Sequence, residues 1–125
     1  MTLSRAERVH QLLEKLRSFD IDIEGVAAAT NEGLVIASSL EEGLDEERLS
    51  AVCGAVAAVS KSTAEELRKG VPSEMIIKAP EGFILILRAG VTSLVVAVTL
   101  PTANLGLVLI DMRKIAKEIA PILDK

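Results

Sequence analysis

Twelve consecutive residues, Leu49 to Ser60, carry no charge, and they sit inside a stretch that reads as one long helix. That helix is expected from about Asp45 to Lys69, with Asp45 or a neighbour as its cap and Gly70 as the stop. Glu46 and Glu47 suit the positive end of its dipole. Leu49, Val52, Val56, Val59, Thr63 and Leu67 form an ordinary core stripe, while Ala51, Gly54, Ala55, Ala58 and Ser62 form a second stripe of small residues. A helix that is apolar nearly all round is expected to be buried on more than one side. Small residues three and four apart also let another backbone approach closely. A chain of 125 residues has room for one domain, taken here as 1–125, and one core. The surplus apolar side therefore asks for a partner, and a mean hydropathy of +0.40 points the same way.

The other segments fall into place around this helix. Ser4 and Glu7 have capping-box spacing, and Ala6, Val9, Leu12, Leu13 and Leu16 repeat with helical period. Val26 to Thr30 and Leu34 to Ser38 read as strands joined by the tight turn Asn31-Glu32-Gly33. The nearly continuous run Leu34-Val35-Ile36-Ala37 predicts cover on both faces. Glu74 to Ala79, Phe83 to Arg88 and Leu94 to Leu100 are three further strands; the last two are apolar enough for the sheet centre, and charges at both ends of the first suit an edge. Leu105, Val108, Leu109, Met112, Ile115, Ala116, Ile119 and Leu123 mark a final amphipathic helix that Pro121 is expected to kink or end early. The order αββαβββα with short turns predicts an α+β layered domain with antiparallel strands.

Several functions find no support. A net charge of −4, well mixed along the chain, is a poor footprint for nucleic acid, and with two aromatic residues there is no platform for stacking bases. The uncharged run Ala89 to Ile110 is long enough to span a bilayer, but Thr92, Ser93, Thr99, Pro101, Thr102 and Asn104 break it into strand, turn and helix start, so no direct membrane insertion is expected. No glycine-rich phosphate cradle occurs. Asp20-Ile21-Asp22-Ile23-Glu24-Gly25 imitates the opening of a calcium loop, yet the twelfth position is Asn31, which cannot supply a bidentate carboxylate. His10 has no second ligand at metal spacing and reads as a surface or boundary histidine. Cys53 reads as a buried, inert thiol, and a lone cysteine without a signal peptide suits a reducing cytoplasm. The acidic group Glu41, Glu42, Asp45, Glu46 and Glu47 reads as a solvated loop and dipole complement. No catalytic, metal or cofactor site is expected, and the chain does not read as an enzyme.

Three segments in order resemble the Roadblock/MglB family. Thr30 to Ser38, an acidic-Gly turn before Leu-Val-Ile-Ala-Ser, is similar to that family's hairpin. The Ala/Val-rich helix Ser50 to Leu67 looks like its second helix, and Ala103-Asn104-Leu105-Gly106-Leu107-Val108-Leu109 like the entry to its last. The resemblance implies a profilin-like architecture: a five-stranded antiparallel sheet between one helix and two. It also implies a homodimer, with strand 74–79 paired to its copy and the two helices 45–69 side by side. The contact residues would be Ala51, Gly54, Ala55, Ala58, Ser62, Met75, Ile76 and Ile77.

Family members regulate or scaffold Ras-like small GTPases, and prokaryotic ones partner the GTPase directly and promote hydrolysis. The resemblance thus implies a cytoplasmic, non-enzymatic GTPase-activating platform, or else a structural adaptor that leaves hydrolysis unchanged. A small-ligand sensor is a third class, for which no convergent polar pocket residues are evident. Arg48, Lys61, Glu65 and Arg68, at the ends of the long helix, are candidate partner contacts. Among possible arginine fingers, Arg48, Arg68 and Arg88, the first two are expected in solvated ion pairs with nearby acids.

Overall fold

The computed structural model describes residues 2–124. The elements follow in the order α1 (Arg5–Ser18), β1 (Ile23–Thr30), β2 (Val35–Leu40), α2 (Glu46–Glu66), β3 (Glu74–Ala79), β4 (Gly82–Ala89), β5 (Ser93–Thr99) and α3 (Leu105–Leu123). The strands form one sheet in the order β2-β1-β5-β4-β3, and every neighbouring pair is antiparallel. This is the expected α+β layering, with α1 and α3 on one face and α2 on the other.

Strand alternation divides the interior in two. Leu85, Leu87, Val95 and Ala97 face α1 and α3, where Val9, Leu13, Leu16, Met112, Ile115 and Ile119 are buried against them. Ile86, Leu94 and Val96 face α2. Helix α1 starts as its sequence requires: Glu7 N–H donates to Ser4 Oγ (3.1 Å) and Ser4 N–H to Glu7 Oε1 (3.0 Å). Asp45 Oδ1 caps α2 by accepting from Glu47 and Arg48, and Asn104 Oδ1 caps α3 by accepting from Leu107.

Helix α2 is rotated from the stripe expected of it, of which Leu49 and Val56 still pack against the core. Its inward residues are Ser50, Cys53, Gly54 and Ala57, with Leu49 and Val56 half-buried, whereas Val52, Val59 and Leu67 are 53%, 66% and 65% exposed. The cause is proximity. A Cβ on Gly54 would lie 2.7 Å from Gly33 Cα, so helix and β1–β2 turn touch backbone to backbone, leaving no space for valines. Gly33 itself holds φ +89°.

Helix α2 also ends one turn early. Arg68 N–H bonds Glu65 C=O (3.0 Å) and Lys69 N–H bonds Ala64 C=O (2.7 Å), a Schellman ending in which Arg68 takes φ +60°. The expected stop, Gly70, lies two residues further on. Strands β1 and β2 reach further than expected, to Ile23 and Leu40. Strand β2 proves to be an edge, with Leu34 68% exposed just before it and Val35 to Ala37 half-covered, so the expectation of cover on both faces fails. Pro121 neither stops nor shortens α3, because in the last turn it forfeits only one intrahelical bond.

Candidate interaction surface

The outer side of α2 has no charge between Arg48 and Lys61. Ala51, Val52, Ala55, Ala58 and Val59 are all exposed there, and Ser62 extends the stripe. So the valines assigned to the core join the small residues assigned to a contact surface. Helix propensity and period alone could not separate these two sides, because both are apolar; the Gly33–Gly54 approach decides it. Of the expected contact residues in α2, Gly54 alone is spent inside the chain.

Strand β3 supplies the second part. It pairs with β4 through Met75↔Ile86, Ile76↔Leu85 and Ile77↔Ile84, and among the described residues no strand lies on its other side. Met75 is buried on the α2 face with Ile86. Ile77 shares that face and is 37% exposed, while Ile76, on the α3 face, is 46% exposed. Two isoleucines thus stand open on opposite faces of one unpaired edge, an unusual arrangement for a strand that ends the sheet. Its one charge clamp is Glu74, which accepts from Arg113 Nε (2.6 Å) and Nη2 (2.9 Å). This pair holds the Glu74 carboxyl below the usual carboxylate range.

The opposite edge is finished differently. His10 Nδ1 lies 3.0 Å from Ser38 C=O, and His10 Nε2 lies 3.1 Å from Glu14 Oε1. Ser39 Oγ donates to the other Glu14 oxygen (3.1 Å) and accepts from Arg17 (3.3 Å), while Ser38 Oγ donates to Glu46. Side chains from both neighbouring helices therefore occupy β2, where among the described residues β3 has only Arg113. His10, read as a surface or boundary residue, is half-buried and serves this closure; the sequence held no signal for its partner 28 positions away.

Arg48, Lys61, Glu65 and Arg68 are all exposed at the two ends of α2. Lys61 and Glu65 approach within 3.9 Å. Among the described residues neither Arg48 nor Arg68 is ion-paired, contrary to expectation. Arg88 is tied down, its Nε donating to Pro72 C=O at 2.8 Å. Cys53 is buried, and burial pushes its thiol up to about 11, which suppresses the thiolate. Asp20 is engaged in its own turn, accepting from Asp22 N–H at 2.8 Å. Among the described residues no group of three or more His, Cys, Asp or Glu side chains is placed to hold a metal, and no helix is long and apolar enough to cross a membrane.

A family model described as the Roadblock/LC7 domain matches residues 6–99. The uncharacterized protein MJ1340 of Methanocaldococcus jannaschii is 35% identical over 97 residues, covering 78% of this chain and 84% of that one. Among solved structures, the gliding protein MglB of Thermus thermophilus superposes with a TM-score of 0.87 at 20% identity, covering 99% of this chain and 94% of that one. MglB of Myxococcus xanthus gives 0.89 at 16%, covering 99% and 93%. At these identities the two MglB structures speak to the fold.

Proposed function

Since the chain belongs to the Roadblock/LC7 family, we propose that it is a homodimeric, non-enzymatic platform that binds a Ras-like small GTPase and promotes its GTP hydrolysis. The observation that carries this reading is the uncharged outer face of α2 together with the open β3 edge. Pairing of β3 with its copy would satisfy the free backbone groups, cover Ile76 and Ile77, and join two sheets into one of ten strands. The two α2 helices would then lie side by side through Ala51, Val52, Ala55, Ala58, Val59 and Ser62. Gly54 and Met75 would support the interface from beneath.

The α2 pair would form a low-relief platform with Arg48, Lys61, Glu65 and Arg68 at its exposed ends. A platform of this kind acts by holding the GTPase's own switch residues in place. With Arg88 bound to Pro72, Arg48 and Arg68 are the two of the three candidate arginine fingers left free, among the described residues, to approach a nucleotide. The similarity of the whole fold to MglB supports this reading.

The test uses the Ras-like GTPase recovered with this protein by affinity capture from its native cell. GTP hydrolysis by that purified GTPase is timed with and without the dimer. Acceleration of about tenfold or more is expected. Stable binding without acceleration would favour the adaptor reading, and failure to bind any such GTPase would overturn the proposal.

A further inference from the structure

Charge is divided between the two sides of the sheet. Helices α1 and α3 together carry seven basic and four acidic residues, and the rest of the sequence seven and fourteen. Two of the four acids are already engaged: Glu7 closes the cap of α1, and Glu14 meets His10 and Ser39 at the β2 edge. The cations of this layer are freer. Arg5, Arg8, Lys15, Lys114 and Lys117 are all exposed, and none is ion-paired among the described residues.

Two grooves follow the seam between the helices. One, of about 330 Å³, is lined by Lys15, Phe19, Lys114, Ile115, Lys117 and Glu118, so a lysine of α1 stands with two of α3 around an apolar floor. The other, of about 480 Å³, places Arg8 and Leu12 beside Ile122. The helices therefore run antiparallel and make one broad face. The outer side of α3 completes it. Leu107, Ile110, Lys114 and Lys117 are three, four and three residues apart, which sets them on one side of the helix, and all are exposed. Leu107 is 51% and Ile110 47% accessible, opposite the buried side formed by Val108, Met112 and Ile115.

We propose that the α1/α3 face is a peripheral docking surface for an anionic phospholipid membrane. A lipid surface accepts both halves of the α3 stripe. Leu107 and Ile110 enter the boundary between headgroups and acyl chains, while the lysines extend their ammonium groups among the phosphates. Phe19, 45% exposed at the rim of the lysine groove, adds a third apolar contact. The contact stays at headgroup depth, as no helix among the described residues is long and apolar enough to cross. Each cation contributes an attraction that salt weakens. The sheet separates this face from α2, so a partner on α2 does not compete with it. Under the β3 pairing proposed above, both copies would turn their α1/α3 faces the same way and bind as a bivalent unit.

Co-sedimentation of the full chain with vesicles tests this. Binding is expected to phosphatidylcholine vesicles containing about 30% phosphatidylglycerol, not to phosphatidylcholine alone, and it should fall about tenfold or more between about 50 mM and about 300 mM salt. Lys114→Glu with Lys117→Glu should weaken it about twentyfold or more, and Leu107→Ser with Ile110→Ser about fivefold. Lys69→Glu, a charge reversal beyond the end of α2, should change it by less than about twofold, whereas Lys114→Glu alone exceeds that. All these positions are exposed, and unchanged melting curves would establish that the variants fold. Val59→Asp with Ile77→Asp, expected to leave one chain, should still bind in a salt-dependent way, so the pairing and the membrane contact can fail separately. Absence of binding to the anionic vesicles at low salt overturns the proposal and leaves an acidic protein as the occupant. Equal losses from Lys69→Glu and Lys114→Glu also overturn it, because net charge and not this face would then be responsible.

Discussion

Asp124 shows how one side chain can fasten a distant turn. Its carboxylate accepts from Val91 N–H, Thr92 N–H and Thr92 Oγ1 (2.8 Å for the last), joining the end of α3 to the β4–β5 turn. These donors hold its carboxyl below the usual range, with the Thr92 hydroxyl the largest cause. A lowered native value means stability that is full above the unfolded-state carboxylate range and lost as pH falls through the native one. Asp124→Asn is therefore expected to lower the urea midpoint at pH 7, and the gap from the parent should shrink in acid. Arg68 is the second case. As a non-glycine residue at φ +60° it strains the α2 terminus, and Arg68→Gly should stabilise the fold by about 1 kcal/mol in urea titrations. The same change should weaken GTPase binding if the arginine contacts the partner; strain retained at a contact position is a familiar sign of use.

Element existence and order were legible in the sequence, because helical period, two-residue alternation and caps at Ser4 and Asp45 are local signals. Which side of α2 faces inward was not. That choice depends on a glycine in a turn meeting a glycine in a helix 21 positions later, and no periodicity records such a meeting. The helix end was missed for a related reason: glycine is the usual left-handed residue, and here an arginine holds that conformation. Gly54→Ala tests the helix–turn contact. Its methyl group would press on Gly33 backbone, which cannot rotate aside, and a loss of about 1–3 kcal/mol is expected in denaturant melts. The outer contact surface was half legible: its alanines were recognised from spacing, while Val52 and Val59 were assigned to the interior.

For the molecule as a whole, the proposed pairing makes stability depend on concentration. The thermal midpoint of the parent should rise as the protein is concentrated, by mass action. Val59→Asp combined with Ile77→Asp should abolish that dependence and give one-chain mass, since both side chains are exposed in the isolated chain. The contrast between the two borders of the sheet has a further consequence. Two copies zipped along β3 would present only β2 outward, left and right, and there imidazole, carboxylate and hydroxyl groups already sit where an incoming strand would need to land. Such a ribbon could not lengthen sideways. In the proposed dimer, one sticky margin and one sealed margin would let assembly count to two in that direction and then stop, leaving no open edge to seed a fibril.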